Sequence, residues 1–180
     1  MTTNYFNSSV ITPTIAASKL NTAFTAGDIV FDWVGFEIPR GACKLLGATV
    51  IIRPKNDAGQ TVAGSGLDLL FAKGPVPDAT PTSLGTVNAE VTNFASTDII
   101  GGMPFVADDK FGTRTLYATN VSPCELVLEP NPASGSNIGV DKFYIAGLAA
   151  GDIDLTSGCT VNESNFGAGT QTVITVADVD

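Results

Sequence analysis

Histidine is absent from this chain of 180 residues, and its absence removes most of the common catalytic arrangements. Without an imidazole there is no Ser-His-Asp or Cys-His pair, no histidine zinc site and no ordinary general base near neutral pH. The sequence also has no glycine-rich phosphate loop and no dinucleotide-binding fingerprint. We therefore expect that the protein is not an enzyme and that it uses no cofactor.

Basic residues are also scarce. Nine Lys and Arg residues stand against 18 Asp and Glu residues, so the net charge is −9 and the pI is about 4.2. Such a surface repels phosphates, which argues against nucleic acid and against an anionic membrane as partners. No apolar run approaches the roughly 20 residues that span a bilayer. The first ten residues lack the pattern of an export signal, so we expect synthesis in the cytoplasm.

The three cysteines, Cys43, Cys124 and Cys159, form no CxxC pair. We expect free, buried thiols rather than a disulfide or a metal framework. Cys43 precedes Lys44, a neighbour that could lower the pKa of the thiol, but without histidine or a nearby second cysteine an inert thiol is the favoured interpretation.

Two carboxylate pairs are the remaining candidates for chemistry: Asp108 with Asp109, and Asp152 with Asp154. Asp152 and Asp154 would share one face of a strand, where oxygen ligands could hold Ca²⁺ weakly. Acidic pairs in turns are more often simply solvated. We favour that interpretation and expect no metal site.

The residues that are abundant favour strands and turns. Hydrophobic residues make up 44% of the chain and charged residues 15%, with 19 glycines and 10 prolines. Frequent turn residues between β-branched and aromatic runs are typical of an all-β protein. The low charged fraction suggests that part of the surface is covered by partners.

Residues 28–53 contain two runs with strand-type alternation, separated by a Pro-Arg-Gly corner, and we expect a hairpin here. The first run has apolar residues on both predicted faces: Val30, Val34, Phe36 and Ile38 on one, and Ile29, Phe31 and Trp33 on the other. A strand with two apolar faces is expected inside a sandwich or an interface. Trp33, the only tryptophan, is interpreted as a core or subunit-contact anchor rather than a ligand platform.

Further strands are predicted at residues 67–73, 104–107, 113–119, 124–129, 142–148, 153–155 and 170–179. Residues 96–98 could cap a short helix that Gly101 and Gly102 end. The strand spacing indicates a single-domain β-sandwich of jelly-roll type over residues 27–180, preceded by an extended N-terminal arm over residues 1–26.

Between residues 24 and 128 the sequence has a distinct order of apolar and turn residues. An aromatic-x-x-Gly-Asp entry is followed by an "LLG" strand, an "LDLLF" strand, a proline-rich loop and an Asn-Ala segment with a downstream Asp. The residues concerned are Phe24, Gly27, Asp28, Leu45, Leu46, Gly47, residues 67–71, Asn88, Ala89 and Asp98. This order resembles that of a family of tailed-bacteriophage virion structural proteins, the head decoration or cement proteins.

The resemblance implies a β-sandwich bound to the outer surface of a phage capsid, as a homo-trimer in contact with the major capsid protein and made in the host cytoplasm. The candidate intersubunit or capsid contacts are apolar residues of the arm together with the tryptophan: Tyr5, Phe6, Val10, Ile11 and Trp33. The alternative is a receptor- or glycan-binding module of a tail fibre or surface adhesin. Its binding rim would be the proline-rich loop 74–85 and the turn at Asp152 and Asp154.

Overall fold

The computed structural model describes residues 9–16, 19, 22–39, 43–52, 63–64, 66–76, 79–94, 99–105, 109–111, 116–121, 126–128 and 140–154. Every regular element among these residues is a β-strand, which confirms the all-β expectation for this part of the chain. The strands are β1 (Ile29–Pro39), β2 (Cys43–Leu45), β3 (Ala48–Ile52), β4 (Ala63–Gly64), β5 (Leu67–Ala72), β6 (Ile99–Phe105), β7 (Asp109–Phe111), β8 (Leu116–Val121), β9 (Leu126–Leu128), β10 (Val140–Ala149) and β11 (Ile153–Asp154).

The largest sheet has four antiparallel strands in the order β1-β10-β5-β6. Strand β10 lies inside this sheet and pairs with β1 on one side and β5 on the other. Its residues 143–147 are all buried, as expected of a central strand with apolar residues on both faces. The strands predicted at residues 67–73 and 142–148 are thereby confirmed.

Strands β1 and β3 do not form a hairpin, so that expectation is wrong. β1 pairs with β10, whereas β3 pairs with β8 in a three-stranded sheet of order β3-β8-β7. Strand β2 pairs with β9, and β4 pairs with β11. Alternation identifies a strand because it reflects which side chains are buried. It carries no information about which backbone completes the hydrogen-bond ladder.

The side chains of β1 do not show the strict alternation between the two faces of the sheet that the sequence predicts. The register with β10 shifts between Ile29 and Phe31 and again between Phe31 and Val34. These irregularities bring Val30 and Phe31 into the same core cluster, while Ile29 contacts a different one. The predicted grouping of Phe31 with Ile29 and Trp33 is therefore wrong, because extra residues in one strand turn its side chains to the other face.

The core consists of one large cluster and two small ones. The largest, here called the main cluster, has as its buried members Phe24, Val30, Phe31, Leu67, Leu69, Phe71, Met103, Phe105, Ile145, Ala149 and Ile153. The second cluster is built on Ile29, Leu84 and Ala146. Because Leu84 lies in loop 79–94, this loop contributes a buried side chain that packs against β1 and β10.

Strand β6 includes Gly101 and Gly102, which pair with Phe71 and Leu70. The prediction that these glycines end a short helix is therefore wrong. Residues 96–98, which were predicted to cap that helix, lie outside the described residues. Pro104 is tolerated within β6 because β6 is at the edge of its sheet, where one side of the strand makes no ladder bonds. Pairing with the apolar β5 outweighs the weak strand preference of glycine.

Gly147 makes room for the Phe31 ring across the β1–β10 pair. A Cβ atom at Gly147 would lie closer than 3.0 Å to three atoms of that ring. Gly147→Ala should therefore lower the free energy of unfolding by about 1–3 kcal/mol, measured by urea titration. The Phe31→Leu background removes the ring and should reduce this loss. An equal loss in both backgrounds would contradict the steric explanation.

Candidate interaction surface

The N-terminal arm lies in part on the protein's own core. Along residues 11–16, half-buried and exposed positions alternate, and Ile11 and Ile15 pack against the main cluster. Near its start, the Ser9 hydroxyl donates a hydrogen bond of 3.2 Å to the backbone oxygen of Glu37 in β1. Among its described residues the segment forms no strand.

The residues predicted to contact partners have different environments. Val10 is 94% exposed, whereas Ile11 is half-buried against the core. Tyr5 and Phe6 lie outside the described residues. Of the two described arm candidates, only Val10 offers most of its apolar surface to another molecule.

The arm enters the sheet at Phe24, a fully buried residue. Phe24 and Ile153 exchange backbone hydrogen bonds of 2.9 and 3.0 Å. Three residues later, the Gly27 amide donates to the Ala149 oxygen, and the Ala149 amide donates to the Asp28 oxygen, both at 2.8 Å. This pairing extends the β1–β10 ladder into the preceding turn.

A turn over residues 25–28 holds a buried carboxylate. The Asp28 amide donates to the Thr25 oxygen at 3.0 Å, and Gly27 has a φ of 89°, which glycine adopts without steric cost. Asp28 Oδ2 accepts hydrogen bonds from the Thr25 amide at 2.7 Å and the Thr25 hydroxyl at 2.9 Å. Asp28 is 6% exposed, so these bonds offset the cost of removing its carboxylate from water.

Asn88 approaches the same turn from loop 79–94. Its φ is 58°, in the left-handed region that asparagine tolerates better than most residues. Its amide donates to the Ile29 oxygen at 2.8 Å, and the Ile29 amide donates to the Ala89 oxygen at 3.0 Å. The Asn88 side chain donates to the Lys19 oxygen at 2.8 Å and to both oxygens of Thr22 at 3.0 Å.

Five residues that carry the sequence resemblance meet in this junction: Phe24, Gly27, Asp28, Asn88 and Ala89. Their roles here are burial, turn geometry and hydrogen bonding between chain segments. The sequence resemblance includes Gly27, Asp28 and Asn88, but it did not predict that Asn88 contacts the arm. The tolerance of asparagine for positive φ was the only available signal.

Trp33 is half-buried and packs against the second cluster. Its indole Nε1 donates a 2.9 Å hydrogen bond to the Thr82 oxygen. The neighbouring Asp32 accepts a 3.1 Å hydrogen bond from the Leu84 amide through Oδ1. Together these contacts hold loop 79–94 to β1, so Trp33 supports the protein's own loop.

The Cys43 thiol and the described carboxylates of the predicted pairs show no arrangement suited to catalysis or metal binding in the described residues. Burial raises the pKa of the Cys43 thiol, the direction opposite to that of an activated thiolate. Asp152 is exposed, and no group of three or more metal-binding side chains occurs in the part of the chain that is described. Asp108 and the side chains of Asp109 and Asp154 lie outside that part. The described part of the chain contains no helix that is long and apolar enough to cross a bilayer.

Comparison of the chain with protein-family models, with curated proteins and with solved structures finds no match. The assignment of residues to roles therefore rests on the geometry described above.

Asp28→Ala should lower the free energy of unfolding by about 1.5–3 kcal/mol, because it removes a charged acceptor from two hydrogen bonds. Chemical denaturation measures the loss. Glu90→Ala is the matched control: Glu90 is exposed and bridges Asp28 only through its backbone, so its effect should stay within about 0.5 kcal/mol. Similar losses in the two variants would show that the carboxylate has no special role.

Leu84→Ala should shift the fluorescence emission of Trp33 to longer wavelength and lower stability by about 2–5 kcal/mol. Leu84 is 1% exposed, and truncating it removes packing from the cluster that Trp33 contacts. Val76→Ala changes a side chain that is 58% exposed and should leave both quantities unchanged. An unshifted emission maximum in folded Leu84→Ala would contradict the described packing of this loop.

Proposed function

We propose that this protein is a phage capsid decoration, or cement, protein. In this proposal it folds as a jelly-roll β-sandwich, forms a homo-trimer and binds the outer surface of the head. It is made in the host cytoplasm and contacts the major capsid protein. By bridging neighbouring capsid subunits it adds contact area, which resists the outward pressure of packaged DNA.

The observation that carries the proposal is the exposure of Val10 on an arm whose next residue packs on the core. An extended segment with one apolar side chain directed away from the molecule is suited to insertion into a pocket of another protein. The half-buried Ile11 and Ile15 keep the segment close to the sheet. Less conformational freedom then has to be lost on binding than for a free tail.

Charge and composition support the same proposal. The net charge of −9 would keep decorated particles apart in solution, and the 15% charged fraction is low enough to leave apolar area for contacts. The resemblance in residues 24–128 points to the same class of protein. Trp33, whose indole bonds to the protein's own loop, lends no support to a glycan-binding platform.

Val10→Asp should weaken binding to emptied phage heads by at least about tenfold, since it places a charge on the proposed contact. Cosedimentation measures the binding, and size-exclusion chromatography with light scattering measures the oligomeric state, expected to be a trimer. The unfolding midpoint should not change, because Val10 is 94% exposed.

Ile11→Ala provides the matched comparison at the next position. It should lower the free energy of unfolding by about 1–3 kcal/mol, because Ile11 packs on the main cluster, and should affect binding less than Val10→Asp does. Point substitutions are preferable to removing residues 1–15, which would also strip Ile11 and Ile15 from the core. A wild-type protein that stays monomeric and does not sediment with heads would refute the proposal and favour the receptor-binding alternative.

A further inference from the structure

The N-terminal segment is attached to the rest of the molecule with unequal strength along its length. We use the word strap for its described residues 9–16, 19, 22 and 23, all of which precede Phe24. From Phe24 onward, the chain is held by paired backbone bonds to Ile153 and Ala149 and by the buried Phe24 ring. Before Phe24, no described residue forms a ladder with a strand.

Few contacts hold the strap itself. Ser9 makes one exposed hydrogen bond to Glu37, and Ile11 and Ile15 are only half-buried. The bond from the Lys19 amide to the Ala16 oxygen is local and does not tie the strap to the sheet. The remaining described hydrogen bonds between the strap and the sheet region all come from one side chain, the carboxamide of Asn88.

Asn88 links the strap to the four-stranded sheet, because its backbone and its side chain bond to different segments of the chain. Its backbone amide bonds to the Ile29 oxygen at the start of β1, and its side-chain nitrogen reaches the Lys19 and Thr22 oxygens. A carboxamide nitrogen has two protons, and three acceptors within 3.0 Å engage both of them. The left-handed backbone at φ 58° aims the side chain toward the strap while the amide stays on β1.

We infer that Asn88 is a clasp that helps to hold the strap closed, and that loss of its carboxamide raises the population of the released strap while the sheet stays folded. Opening would pivot near Phe24, where paired backbone bonds begin. The device is a local one, in which the Asn88 carboxamide adds to the packing of Ile11 and Ile15 and shifts the balance between the docked and the released strap. It operates whether or not the protein binds a capsid.

Trypsin provides a direct test, because the clasp bonds to the carbonyl of a trypsin site. Lys19 O is both an acceptor of the Asn88 carboxamide and the carbonyl that trypsin attacks when it cleaves after Lys19. Cleavage of a native protein follows the population of the locally open form when opening is fast. Loss of one or two hydrogen bonds should raise that population, and the cleavage rate after Lys19, roughly 5- to 30-fold.

Two variants separate the effect of the Asn88 carboxamide from the effect of the backbone conformation at this position. Asn88→Gly keeps the left-handed conformation without cost and removes the donor. Asn88→Asp keeps the shape but places an acceptor against the Lys19 and Thr22 oxygens. Ser83→Ala is the control in the same loop, because its hydroxyl bonds only to Gly85 among the described contacts.

The full-length proteins are digested under native conditions, and the fragments are assigned by mass spectrometry. We expect faster cleavage after Lys19 in both Asn88 variants, with unchanged cleavage after Lys73 and Lys142, which lie beside β5 and within β10. Wild-type rates after Lys19 in both variants would overturn the inference. Parallel acceleration at Lys73 and Lys142 would also overturn it, since it would mean that Asn88 supports the whole fold rather than the strap.

Discussion

Residues 24–29 are hydrogen-bonded through their backbone to two separate parts of the chain, and the arrangement of the arm, the four-stranded sheet and loop 79–94 depends on this double pairing. On one side they meet residues 149–153, and on the other residues 88–90. The pairing joins the arm, the four-stranded sheet and loop 79–94 within a few residues. Because Phe24 and Asp28 are buried there, the junction combines apolar burial with a satisfied carboxylate. Each segment therefore limits the positions available to the other two.

Sequence reasoning succeeded where burial is local and failed where pairing is distant. The compact apolar run at residues 67–73 was identified as a strand, and β5 there buries Leu67, Leu69 and Phe71. The partner of β1 was not predictable in this way, since β10 lies about 100 residues further along the chain. The register shifts around Phe31 could not be predicted from the pattern of apolar residues in β1. Likewise Gly101 and Gly102 resemble a helix end until the pairing with β5 is known.

At the candidate interaction surface, too, some features follow from the sequence and others are visible only in the structure. Val10 and Ile11 are neighbours of the same chemical type, and only the structure shows that one is exposed and the other packs on the core. Trp33 was expected to anchor either the core or a subunit contact. Its indole donates to the Thr82 oxygen and its side chain packs against the second cluster, although it is only half-buried. Its role in a subunit contact stays a prediction. Asn88 illustrates the opposite case, where an ordinary loop residue gains importance from a contact 69 positions away.

The two outer strands of the four-stranded sheet each contain irregularities, and these affect how the protein behaves at high concentration. Strand β1 has two register shifts, and β6 has Pro104 and a shift of its own. A straight, unbroken edge strand would be a template for adding strands from other molecules. The register shifts and the missing amide hydrogen of Pro104 make such edge-to-edge addition of strands unfavourable. These features lower the tendency of a chain that is 44% hydrophobic to form fibrous aggregates.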